Sequence, residues 1–162
     1  MMLRKIKQEF AHDPDGEGTY GDCFRTCIAM MTGMERDQVP HFMHPEEPDF
    51  YGWQGCRRWL ERFRLTVSMY AYQGDLDWEG ILSVTANQNA MCPTMICGAR
   101  ETGTQHVVVA LDGTLWCDPL WGDEEGSPGL DRASDEDGVW WLVNIVYLPA
   151  YGGLKIAETI QA

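Results

Sequence analysis

Cys23, His106 and Asp118 are the residues of this chain whose types could combine into acyl-transfer chemistry. Cys23 opens a segment in which Phe24, Cys27, Ile28 and Met31 recur at helical spacing, and Gly33 follows the last turn. Asp22 suits the N-cap position, since its carboxylate can accept from backbone N–H groups that lack a helical partner, and Gly33 suits the left-handed residue that ends a helix. A cysteine in the first turn lies beside those N–H groups and the positive end of the helix dipole, which favours a thiolate nucleophile. A nucleophile of this kind needs a base, and His106 at the head of the apolar run His106-Val107-Val108-Val109-Ala110-Leu111 is the candidate.

The pairing of His106 with Asp118 depends on how the chain turns at Asp112-Gly113. A three-residue loop, Leu111-Asp112-Gly113, with Gly113 left-handed would pair Ala110 with Thr114 and set His106 opposite Asp118, on one face of the sheet. A two-residue Asp112-Gly113 turn would set His106 opposite Pro119 and send Asp118 to the other face. In the first register the roles are complete. Cys23 attacks, His106 moves the proton, and Asp118 fixes the tautomer and orientation of the imidazole. The oxyanion would be met by the backbone N–H of Cys23 and one side-chain donor, for which Gln8 is the candidate, because a strand feeding the Cys23 loop can return its amide to the site.

The elements that must position these residues follow from periodicity and turn signals. Residues 3–8 read as a short strand, and 11–20 as a polar, turn-rich loop. After Gly33, residues 35–42 form a short helical turn broken near Pro40, and 44–51 a loop. A second helix spans 52–64, with Trp53, Cys56, Leu60 and Phe63 on one face and Arg57, Arg58, Glu61 and Arg62 off it. Residues 65–72 alternate as a strand, 78–85 read as a short helix, and 93–97, 106–111, 114–118 and 139–148 as strands. Residues 121–138 form a long acidic loop, close enough to Asp118 to act as a lid. His12, His41 and His44 read as surface or loop residues. Helices come first and an antiparallel sheet second, so the expected class is α+β in one domain over residues 1–162.

Composition narrows the function. An apolar fraction of 44% and seven tryptophans in 162 residues support a packed core. No run is long and apolar enough to span a membrane, and residues 1–8 lack the apolar core and cleavage site of a signal peptide. Six cysteines without an export signal read as reduced thiols in a cytoplasm. The net charge of −13 disfavours binding of nucleic acid and suits a solvated surface or a basic partner. Cys23 with Cys27, Cys92 with Cys97, and Cys117 with His106 were weighed as metal ligands. None has the paired short spacing of a structural zinc site, so neither a metal nor a cofactor is expected.

The segment Gly21-Asp22-Cys23-Phe24-Arg25-Thr26-Cys27-Ile28-Ala29, then Val39-Pro40-His41-Phe42, His106-Val107-Val108-Val109 and Asp118-Pro119, resembles the papain-like cysteine peptidases, in particular small bacterial and phage proteins related to the bacteriocin-processing peptidases. Gly126-Ser127-Pro128-Gly129-Leu130 is similar to the Gly-Leu segment that follows Asp-Pro in that group. The resemblance runs from about Gln8 to about Leu148. It implies a papain-like fold, with a central N-terminal helix packed on a C-terminal antiparallel sheet. It also implies Cys23, His106 and Asp118 as catalytic residues and a protein or peptide substrate cut at an amide or isopeptide bond through a thioester; the same trio can carry transamidation or deamidation. Two departures stand out. Gln8 lies well upstream of Cys23, and bulky Trp116 and Trp121 flank Asp118. The other expectation is a catalytically silent acidic protein on the same fold, a phage anti-host factor for example, that binds a basic surface by charge, in the host cytoplasm if phage-encoded.

Overall fold

A computed structural model describes residues 3–10, 21–44, 48–73, 75–88, 92–133 and 138–148. The expected loop at 11–20, with His12, and the acidic run Asp135-Glu136-Asp137 lie outside the described residues. Among the described residues the chain is α+β, with three α-helices and a six-stranded antiparallel sheet. The helices are α1 (Cys23–Thr32), α2 (Gly52–Glu61) and α3 (Trp78–Gln88). The strands are β1 (Leu65–Gln73), β2 (Thr94–Ala99), β3 (Gln105–Leu111), β4 (Thr114–Cys117), β5 (Arg132–Ala133) and β6 (Val139–Tyr147). Their order is β1-β6-β2-β3-β4, with β5 on the end of β2. The last long strand thus enters the middle of the sheet, which explains its almost wholly apolar sequence.

The sheet is covered on both faces. Val107 and Val109 of β3, Met95 and Cys97 of β2 and Val143 of β6 pack against α1 and α2. Val108 and Ala110, Ile96 and Leu142 pack against Ile81 and Leu82 of α3, with Leu130 and Trp140. Successive residues of one strand feed opposite cores, as the two-residue period of a strand requires. Helix α1 is buried on nearly all sides, including Phe24, Cys27, Ile28 and Met31, and Gly33 ends it at φ 71°.

Three expectations about elements change. Residues 3–8 form no strand, because the segment meets a turn: the Gln8 N–H donates to the Pro119 carbonyl at 2.7 Å, and Ile6 N–H reaches the Met30 sulfur at 3.3 Å. Helix α2 stops at Glu61, and Arg64 turns the chain at φ 60° into β1. Phe63 therefore lies beyond the helix and is 45% exposed, while Trp59 fills the core position. The loop expected at 121–138 holds the short strand β5; His41 lies in a loop as expected, though buried there, in edge-to-face contact with His44.

Candidate functional site

Helix α1, the turn after β2, the start of β3 and the turn after β4 bring their residues to one cleft of about 200 Å³, lined by Cys23, His106, Arg100, Gln8, Thr102 and Leu120 among others. Cys23 is half-buried at the first position of α1. Asp22 sits at the N-cap without its side chain bonding the helix. Its fully buried carboxylate instead accepts the N–H groups of Glu9 at 3.3 Å and Phe10 at 3.0 Å, and Arg36 Nε stands 3.7 Å away. The residue read as a cap is thus a cross-link that fastens the strands of chain on either side of Gln8 and Cys23. Gln8 reaches the cleft, as a candidate oxyanion donor must. Its Nε2 donates to the Phe10 carbonyl at 2.8 Å, which leaves the second hydrogen of that amide, and its Oε1 is buried without a partner among the described residues.

The β3–β4 connection is the two-residue turn, with Asp112 at φ 50° and Gly113 at φ 72°. Two positive values in succession are what a hairpin turn matching the twist of its strands requires. Leu111 pairs with Thr114 and Ala110 with Leu115, and then Val109 pairs with Cys117. Trp116 is therefore a bulged residue, and the bulge advances the register by one. Without that advance Asp118 would face the α1 core. With it, Asp118 follows the strand on the face of Val108 and His106. The expected three-residue loop is corrected, and the His106–Asp118 pair it was invoked to produce arises by a different route.

His106 Nε2 lies 2.7 Å from Asp118 Oδ1, with His106 5% and Asp118 2% exposed. A second donor to Oδ1 is the Leu120 N–H at 3.0 Å. The other oxygen, Oδ2, accepts from Ser127 Oγ at 2.6 Å and pairs with Arg100 Nη2. Burial on its own raises the Asp118 pKa. Hydrogen bonds from His106, Ser127 and Leu120 and the charge of His106 outweigh it and hold the group below its ordinary 3.8. Asp118 is therefore a carboxylate, and its bond engages Nε2 of His106 rather than Nδ1.

The expected thiolate at Cys23 is not favoured. Burial pushes its pKa up to about 11, and the neighbouring Asp22 charge adds to the rise, against backbone hydrogen bonds at Val107, Phe24 and Cys23 itself. Desolvation outweighs the helix end here, and Cys23 rests as a thiol. Cys27 is fully buried, its S–H 3.7 Å from the Val107 carbonyl, and belongs to the core.

Arg100 and Ser127 escaped the sequence reading. Nothing in the sequence distinguishes Arg100 from a surface arginine. A tight turn places it: the Arg100 N–H donates to the Thr104 carbonyl at 3.0 Å and the Gly103 N–H to the Arg100 carbonyl at 2.8 Å. Asp131 braces the same turn, its Oδ2 accepting the Glu101 N–H at 2.7 Å. Ser127 lies in the Gly126–Leu130 segment noted for its resemblance, which was a signal for the segment but not for the hydroxyl. That segment is pressed onto α3: a Cβ on Gly129 would stand 2.4 Å from the Trp78 ring.

Among the described residues no group of three or more His, Cys, Asp and Glu side chains could hold a metal ion, and no helix is long and apolar enough to cross a membrane. Comparison of the chain with protein-family models, with curated proteins and with solved structures finds no match.

Proposed function

We propose that this chain is a papain-like cysteine hydrolase that opens an amide bond of a protein or peptide through a thioester at Cys23. The observation that carries the reading is the buried His106–Asp118 hydrogen bond in the cleft that also holds Cys23 at a helix start. Nδ1 of His106 takes the Cys23 proton as the sulfur bonds to the acyl carbon. The Cys23 N–H and the Gln8 amide meet the oxyanion. Collapse breaks the C–N bond, and His106 returns the proton to the leaving amine. Water, deprotonated by His106, then cleaves the thioester and restores the thiol. An amine in place of that water gives transamidation from the same residues. Because Cys23 rests protonated, His106 acts as general base during attack. Replacing Cys23 with Ala abolishes turnover of an amide substrate and leaves the circular dichroism spectrum unchanged; turnover retained in that variant would end the proposal.

One observation favours a second reading, a binding protein without catalysis. The Cys23 thiol is held near pKa 11 by burial in a chain of net charge −13. Such a protein would engage a basic partner with an affinity that falls as salt rises and that ignores Cys23→Ala.

A further inference from the structure

The cleft contains a cation that a Cys-His-Asp trio does not require. Arg100 is 15% exposed at its side chain and meets the oxygen of Asp118 opposite the one that His106 uses. We propose that Arg100 is a positioning residue that divides the Asp118 charge with His106 and so keeps the Cys23–His106 pair neutral at rest. This rests on the catalytic reading above and specifies how that site is regulated by its own charges.

An imidazolium beside a thiolate is stabilised by a carboxylate on its far nitrogen, and most strongly where water is excluded. In this site the carboxylate is saturated by four donors, two on each oxygen, and one of the four carries a full positive charge. A positive charge on His106 would share with the Arg100 guanidinium the one carboxylate that both contact, so the arrangement with the proton left on sulfur is favoured. Among the described residues the other charged group beside the pair is Asp22, one residue before Cys23, and the thiols of Cys27 and Cys97 also face Cys23. Asp22 is engaged by the Glu9 and Phe10 N–H groups and by Arg36. The N-terminal segment contributes Gln8 and the turn after β2 contributes Thr102, Thr104 and Gln105, all uncharged. Burial of the Cys23 thiol acts in the same direction. In such a site the base is engaged by substrate arrival, which protects a buried thiol from adventitious electrophiles.

The test is alkylation of Cys23 by iodoacetamide between pH 5.5 and pH 9, mapped by mass spectrometry, in the full chain and in Arg100→Gln, Arg100→Lys and His106→Ala. With Arg100→Gln the whole Asp118 charge faces His106, and Cys23 reacts about tenfold faster at pH 7, the consequence of a thiol pKa lowered by one unit. Arg100→Lys keeps the slow profile. Adding His106→Ala to Arg100→Gln removes the gain. A purely structural arginine would give slower or unchanged alkylation in Arg100→Gln, with no rescue by lysine, and that result overturns the proposal. An unchanged profile in Arg100→Gln, with His106→Ala still slowing Cys23, counts against the role of Arg100 alone. Loss of any His106 effect in every background counts against the catalytic pair itself. If Arg100→Gln fails to fold, Asp118→Asn carries the test: it leaves no charge to divide, so Cys23 must stay as slow as in the parent, and a rise there overturns the proposal equally.

Discussion

Asp118, buried behind the cleft-lining His106, is held by four donors, and its protonation links the site to stability. Its folded pKa lies below the ordinary 3.8, so the unfolded chain binds the proton more readily than the folded one. The stabilisation is fully present above the unfolded value and is lost as pH falls below about 3.8 and through the lower folded value. Acid unfolding followed by tryptophan fluorescence should show this loss, and Asp118→Asn should remove it. At neutral pH that variant leaves the half-buried Arg100 without its counter-charge, at a cost of about 1–3 kcal/mol by urea denaturation. Gln8 belongs to the same scale. If its amide meets the oxyanion, Gln8→Ala lowers kcat about a hundredfold with little change in KM, the pattern of an interaction made only in the transition state.

Among the elements, the β3–β4 hairpin and the glycine opposite His106 decide whether the cleft exists. Gly98 pairs with His106 across β2 and β3. A Cβ there would stand 2.6 Å from the Trp140 ring and 2.7 Å from the Arg132 carbonyl, with Leu130 also pressed close. Gly98→Ala should therefore cost about 1–3 kcal/mol in thermal or urea unfolding, as overpacking of a filled core does. The hairpin also shows how far sequence reasoning reaches. Asp112-Gly113 announced the turn and the apolar runs announced its strands, because both signals are local. The bulge at Trp116 was not legible, since an extra residue in a strand is chosen by which side chains must meet the two cores. In the same way the helical pattern of α1 and the glycine that ends it could be read directly. The role of Asp22 could not, because its partners at Glu9 and Phe10 come from a distant segment. Short β5 and the end of α2 at Glu61 were missed for the same reason: sheet pairing and the turn at Arg64, not propensity, set them.

At the scale of the whole molecule, two cores on opposite faces of one sheet hold the cleft at the sheet's end, where α1 delivers Cys23, β3 delivers His106, and Asp118, one residue past β4, bonds His106. The α+β class was legible because the α1 and α2 patterns come first and β2 to β6 follow one another after α3, with only β1 ahead of that helix. The insertion of β6 between β1 and β2 was not, because strand order follows from long-range packing. Among the described residues the cleft lining contains Arg100 and no carboxylate side chain, in a chain of net charge −13. A basic competitor such as polylysine should therefore bind in a salt-dependent way without blocking alkylation of Cys23, as a mapped labelling experiment would report. The central claim is that Cys23 and His106 form an acyl-transfer pair. It is tested most directly by exposing the protein to p-nitrophenyl acetate and following the acetyl adduct by intact-mass spectrometry and peptide mapping. The account predicts that the adduct forms at Cys23 and is then discharged, and that His106→Ala slows its formation by about a hundredfold or more. Acetylation of Cys23 no faster than that of the exposed Cys92, and indifferent to His106→Ala, would contradict it.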